Sequence, residues 1–233
     1  MKNKITCENC NSENDFFYLN CKNCGSLLRD KKPNIDLFST VWALIEEPTK
    51  SLRKIVFAEH KNYQFFLLTL LILKLIFTSF FLQSLIIKPV VYHNYLSINL
   101  GIGFISFLVM ILLFPFLQKI VLASNSVATR YKDNLALLIY SQMPLVLFLL
   151  VILPIEFALF GKFWLFSNPS PFFIKETAAY IFSIMEILTF LWSFVLFGIA
   201  SYVQSKSKQY AIISTLLYFA VIIGLFFFIP FVG

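Results

Sequence analysis

Five apolar blocks, at about 64–87, 97–120, 135–159, 178–203 and 210–231, dominate the chain, and each runs for 22 to 26 residues. At 1.5 Å rise per residue such a block makes a helix of roughly 33–39 Å, enough to cross a hydrocarbon core of about 30 Å with some tilt. Backbone amides in lipid have no water to pair with, so a spanning segment must satisfy them internally. The blocks lack the alternation of barrel strands. One of them could be a buried soluble helix, but not all five. The expected fold is therefore mainly α, a polytopic membrane bundle of five transmembrane helices. The charged fraction is 13%, against about a quarter in soluble domains.

Charge is concentrated before the first block. This gives three expected regions: a small head at 1–32, amphipathic membrane-proximal helices at 33–62, and the five-helix domain at 63–233. No apolar stretch follows the basic residues of 1–24, so no cleaved signal is expected and the first span acts as its own insertion signal. Ten Lys and Arg precede span one, Lys119, Arg130 and Lys132 follow span two, and Lys206 and Lys208 follow span four. The opposite side has Lys88, Lys162 and Lys175. The positive-inside rule places the head in the cytoplasm and the C-terminus outside.

The head holds all four cysteines, in CENCNSENDFFYLNCKNC at 7–24. Disulfides are not expected in a reducing cytosol. Cys7-x2-Cys10 and Cys21-x2-Cys24 are two knuckles able to deliver four thiolates to one tetrahedral Zn²⁺. Gly25 suits the tight turn after Cys24, and a short strand is expected at 15–19, with Phe16, Phe17 and Tyr18 covering the site. The pattern resembles a small zinc ribbon. Four Cys ligands close the shell and leave no position for hydrolytic water, so the zinc is expected to be structural. About thirty residues bury too little core to fold without it.

Between head and span one, Asp36 is expected to cap a helix starting at Leu37, which Glu46, Glu47 and Pro48 stop. Thr49 is expected to cap a second helix at 50–62. Its Lys50, Arg53, Lys54 and Lys61, with Trp42 of the first helix, form the expected membrane-surface set. Packing beneath the bundle is the alternative role for these helices. The stretch FSTVWALIEEPTKSLRKIVFAEHKNYQFF, 38–66, resembles the approach to the Yip1-like membrane domain, where a short helix, a proline and a basic helix precede span one. It is also similar to bacterial membrane proteins with a C-x2-C ribbon before such a domain. That resemblance implies residence in the bacterial cytoplasmic membrane and, from eukaryotic relatives, small-GTPase partners or membrane shaping. The family's aspartate-leucine–glycine-proline signature is absent: Asp36-Leu37 is followed by Phe38-Ser39.

Inside the spans, Lys74 and Glu186 are the intramembrane charges singled out as functional candidates, with Gln142 as a polar neighbour. Ser183, Glu186, Thr189 and Ser193 share a face of span four that should point into the bundle. Helical side chains lean toward their own N-terminus, so in antiparallel spans Lys74 and Glu186 lean apart. Contact is expected only through tilt, a water or Gln142; otherwise Glu186 is protonated. Pro115, Pro144 and Pro154 are expected to kink spans two and three. The loop 161–177, with Trp164, is expected in the outer interface.

Hydrolase elbow, zinc-protease and phosphate-loop motifs are absent, and the two histidines, His60 and His93, are expected on opposite faces. The expected function is a non-enzymatic scaffold, adaptor or membrane organiser. Its partners would be the lipid bilayer and a cytoplasmic protein that meets the head. A small-solute or ion transporter using Lys74, Gln142 and Glu186 is the alternative. Nucleic acid is not an expected partner, because Lys4 and Lys22 are offset by Glu8, Glu13 and Asp15.

Overall fold

The computed structural model describes residues 3–86, 96–167 and 169–228. Lys88 and His93 lie outside them. Among the described residues, five helical segments are long and apolar enough to cross a membrane: Gln64–Gln83, Ile98–Ser124, Tyr131–Phe160, Glu176–Ser205 and Lys208–Phe228. The chain is an integral membrane protein of mainly α class, with a small sheet and cysteine cluster at its head.

The head pairs β1 (Lys4–Thr6) antiparallel with β2 (Glu13–Asp15), Ile5 opposite Asn14. The second strand thus precedes the expected 15–19, and the aromatic run Phe16–Tyr18 turns instead, with Tyr18 N donating to Asp15 O. Helix α1 (Leu37–Glu46) begins where expected, but the Asp36 side chain makes no capping bond; its backbone carbonyl accepts from Thr40 N at 3.0 Å. Helix α2 (Pro48–Phe57) starts on Pro48, whose missing N–H costs nothing in the first turn. It ends at Phe57, short of the expected 62. Ser51, Leu52, Ile55 and Val56 are buried, and this face packs on α5 (Tyr131–Ser141).

Span one is α3 (Gln64–Ile86) and span two is α4 (Leu96–Ser124). The third span is broken. Helix α5 stops at Ser141, Gln142 leaves helical geometry (φ −89°, ψ 11°), and α6 (Met143–Phe160) resumes with Pro144 in its first turn. The proline ends one helix and opens the next. Pro115 and Pro154 stay inside α4 and α6. Gly161, at φ +59°, closes α6 with its N–H on Phe157 O at 2.8 Å. Two short helices follow, α7 (Phe163–Phe166) and α8 (Pro171–Ile174), then α9 (Glu176–Ser205) and α10 (Lys208–Phe228).

The chain forms two compact units. The first contains 1–64, 112–141 and 196–215; residues 1–32 and 33–62 therefore share it with helix ends of the bundle. The second contains 65–111, 142–195 and 216–233. Its apolar cluster gathers Phe81, Leu149, Leu153, Phe160, Trp164 and Ala179. Trp164, expected in the outer interface, is only 1% exposed and stacks on Phe81 (4.6 Å) and Phe160 (5.0 Å). Helix α7 is short enough for its indole to turn back into the cluster.

Replacing Trp164 by Ala empties this cluster and is expected to cost about 3–5 kcal/mol. Trp192→Ala, at a residue 38% exposed on α9, is expected to change the thermal midpoint in detergent little. Comparing the two midpoints checks this; equal, small shifts would contradict it.

Candidate metal centre and buried ion pairs

The two knuckles have the same sequence pattern, C-x-N-C-x-S, at 7–12 and 21–26, and fold alike. Cys7 N donates to Ser12 O at 3.0 Å and Asn11 N to Cys7 O at 2.9 Å. Cys21 N donates to Ser26 O at 2.8 Å and Gly25 N to Cys21 O at 3.0 Å. Each turn needs a left-handed residue after its second cysteine, supplied by Asn11 (φ 54°) and Gly25 (φ 74°).

The four Sγ atoms lie within 4.8 Å of one another and can hold a metal ion. Cys7 and Cys24 sulfurs are 3.7 Å apart, Cys10 and Cys21 sulfurs 3.6 Å. Tetrahedral metal–sulfur bonds of about 2.3 Å place sulfurs about 3.8 Å apart, so the shell is sized for such an ion. Two hydroxyls brace it. Ser26 Oγ sits 3.1 Å from Cys7 Sγ and 3.0 Å from Cys24 Sγ; Ser12 Oγ sits 3.0 Å from Cys10 Sγ and 3.1 Å from Cys21 Sγ. Each serine thus ties one cysteine of its own knuckle to one of the other. The Ser12 hydroxyl and the Cys24 backbone lower the Cys21 thiol to about 5, which favours the ligating thiolate.

The head is fastened within the first unit. Asn3 Nδ2 donates to the carbonyls of Val203 (3.1 Å) and Gln204 (2.6 Å) at the end of α9. Gln204 Nε2 donates to Asn134 Oδ1 at 2.6 Å, and Asn134 Nδ2 to Pro115 O at 3.3 Å. Arg29 donates to the carbonyls of Phe17, Tyr18 and Phe57, and the Arg130 guanidinium lies 4.9 Å from the Phe17 ring centroid. A cavity of about 20 Å³ among Asn3, Phe17, Arg130, Asp133, Asn134 and Gln204 has room for a single water.

Beside it, two cations converge on Asp133. Arg130 Nε lies 2.6 Å from Oδ2 and Lys61 Nζ 3.1 Å from Oδ1. Lys61 also donates to the carbonyls of Ile55, Val56 and Ala58. Lys61 is therefore no membrane-surface residue. Its side chain is 5% exposed, and burial lowers its pKa to about 8 against the opposing pull of Asp133. Because α2 ends at Phe57, the chain turns back and carries Lys61 inward. Lys50, Arg53, Lys54 and Trp42 are exposed.

In the second unit, Lys74 and Glu186 pair directly, without need of a Gln142 bridge. The four-carbon lysine stem exceeds the offset that the opposed leans create. Lys74 Nζ also lies 4.3 Å from the Phe148 ring centroid. Gln142 is fully buried at the break in the third span. On the polar face of α9, Ser193 is buried, while Ser183 and Thr189 are half-buried. A further carboxylate joins this layer: Glu156 is wholly buried and within electrostatic reach of both Lys74 and Glu186. Trp164 stands beside it, but neither carboxyl oxygen makes a hydrogen bond of ordinary geometry among the described residues. Sequence reasoning passed over Glu156; an acid in an apolar block was the signal that could have found it.

Metal analysis of the purified chain is expected to return one ion per molecule, with Cys10→Ser abolishing retention. Ser12→Ala and Ser26→Ala are each expected to weaken affinity roughly tenfold in chelator competition, as loss of a ligand's supporting contact does. Asp133→Asn leaves the buried Lys61 and the half-buried Arg130 unmatched and is expected to destabilise by about 3–5 kcal/mol, read from thermal melts in detergent. No family model, curated protein or solved structure matches this chain.

Proposed function

We propose that this is a non-enzymatic integral membrane scaffold of Yip1-like layout, with a zinc-loaded head fixed on the cytoplasmic side. The observation that carries the reading is the docking of the head. Asn3, Arg29 and the Phe17–Arg130 contact tie it to α9, α2 and the start of α5. A head held this way is a rigid platform rather than a tethered lure. Four thiolates favour zinc, and the closed shell suits a structural role. The excess of Lys and Arg on the head side supports a cytoplasmic position. Phe38, Trp42 and Ile45 form one exposed stripe on α1, suited to lie in the bilayer interface beside the platform.

The test is cross-linking in native membranes, with reagents placed on the head, comparing the intact chain with Cys7→Ser/Cys24→Ser. A protein partner captured only by the intact head, with both forms inserted equally, is the expected outcome. An identical partner set from both forms would defeat the platform role.

A second reading rests on Lys74, Glu186 and Glu156, three ionisable groups in one buried layer. Such groups mark proton or ion paths in transporters. Liposome flux assays separate the readings. Transport predicts pH-dependent flux that Glu186→Gln abolishes in a chain that is still folded, although the unmatched Lys74 lowers its thermal midpoint. No flux from the parent chain removes this reading.

A further inference from the structure

The exposed face of α2 carries Lys50, Arg53 and Lys54, and the end of the head runs directly alongside it. Glu59 N donates to Lys32 O at 2.9 Å, His60 N to Pro33 O at 3.0 Å, and Arg29 Nη1 to Phe57 O at 3.1 Å. These bonds bring Arg29 and Lys32 to the basic helix, although about twenty residues separate them in sequence. The result is a cleft of about 270 Å³ lined by Arg29, Asp30, Lys32, Lys50, Arg53, Lys54 and Phe57.

Its charge is unbalanced. Five of the lining groups are cations and one is an acid. Lys50 is matched by Glu47 at 2.7 Å, but Lys32, Arg53 and Lys54 make no ion pair among the described residues. The Arg29 guanidinium is held by carbonyls, which orient its charge without neutralising it. Arg53 also acts on Lys206, whose pKa is lowered by burial and then by this like charge. Cations gathered in a concave site in excess of their counter-charge are disfavoured by themselves and favoured by an anion with several acceptor oxygens.

We propose that this cleft, built jointly by the end of the head and by α2, binds a phosphate group. Two sources share that chemistry: the phosphomonoester headgroup of an anionic lipid, and a soluble phosphate. The cleft lies seven residues before span one begins at Gln64, and the neighbouring α1 carries exposed Phe38 and Trp42. A headgroup at the membrane surface would meet both. The site does not depend on the scaffold role, and either can fail alone.

The experiment uses the full metal-loaded chain. In the first arm it is reconstituted in nanodiscs of phosphatidylcholine with a minor fraction of phosphatidic acid. Phospholipids retained after release into zwitterionic detergent are counted by native mass spectrometry. In the second arm, inorganic phosphate is titrated against the detergent-solubilised chain, with thermal shift as readout. Retention of phosphatidic acid over phosphatidylcholine without a phosphate response assigns the site to lipid. A saturable phosphate response that displaces the lipid assigns it to soluble phosphate as well.

Arg53→Gln/Lys54→Gln is expected to weaken binding about thirtyfold, the effect of two basic residues at an anionic surface. Lys32→Gln, on the head's side of the cleft, is expected to weaken it about fivefold. Lys22→Gln/Lys208→Gln removes two exposed cations outside the cleft and is expected to leave binding unchanged. Lys32 is half-buried and the other positions are exposed, and a melt of each variant checks that it is folded. Loss of binding equal to that of Arg53→Gln/Lys54→Gln in the outside pair, indifference to Lys32→Gln, or no preferential binding in either arm would each overturn the proposal.

Discussion

The carboxylate of Asp133 is the point on which the first unit depends. It sits 4% exposed between Lys61 and Arg130, where an unmatched charge would be prohibitive. Each partner reaches it from a different part of the chain. Lys61 comes from the turn after α2 and fixes the last carbonyls of that helix. Arg130 comes from the start of α5, places its guanidinium on Phe17 of the head, and donates to Val56 O. One buried acid thus specifies how the head, the basic helix and the third span meet. The apolar face of α2 supplies area but little direction, whereas the ion cluster admits few arrangements.

The second unit solves a related problem in a drier setting. Lys74 is matched by Glu186 and faced by the Phe148 ring, so its ammonium meets negative charge density on two sides. Glu156 has no such match. Among the described residues this layer holds one cation and two acids, a costly arrangement in apolar surroundings. Glu156 is wholly buried, and among the described residues neither of its carboxyl oxygens makes a hydrogen bond of ordinary geometry.

The spans were legible because length and apolarity have one solution in lipid. The knuckles were legible because thiol spacing is fixed by the size of a metal shell. The break at Gln142 was only half legible. Pro144 announced a kink, but Pro115 and Pro154 stay inside continuous helices, so a proline alone does not tell whether a helix bends or ends. Lys61 was misread for a physical reason: a basic residue on a continued helix would face outward, and it faces inward only because α2 stops at Phe57. The lean of side chains wrongly argued against the Lys74–Glu186 contact, since the direction of a Cβ bond constrains a short side chain far more than a lysine. The gathering of Arg29 and Lys32 against α2 left no local pattern at all, because backbone bonds between distant segments create it.

The metal shell and the docking contacts are mechanically linked. Asn3 immediately precedes β1, and β1 leads into Cys7; Arg29 lies five residues beyond Cys24. Asn3 is therefore held by β1, and Arg29 by the turn of the second knuckle, which Leu28 N closes on Leu19 O at 2.8 Å. A head of this size has little apolar core of its own, so an ion between the knuckles would add its binding free energy to that of docking. An ion held there would set more than the local fold of residues 7–26. It would fix where Arg29 and Lys32 stand against α2, and with them the charge presented next to the start of span one.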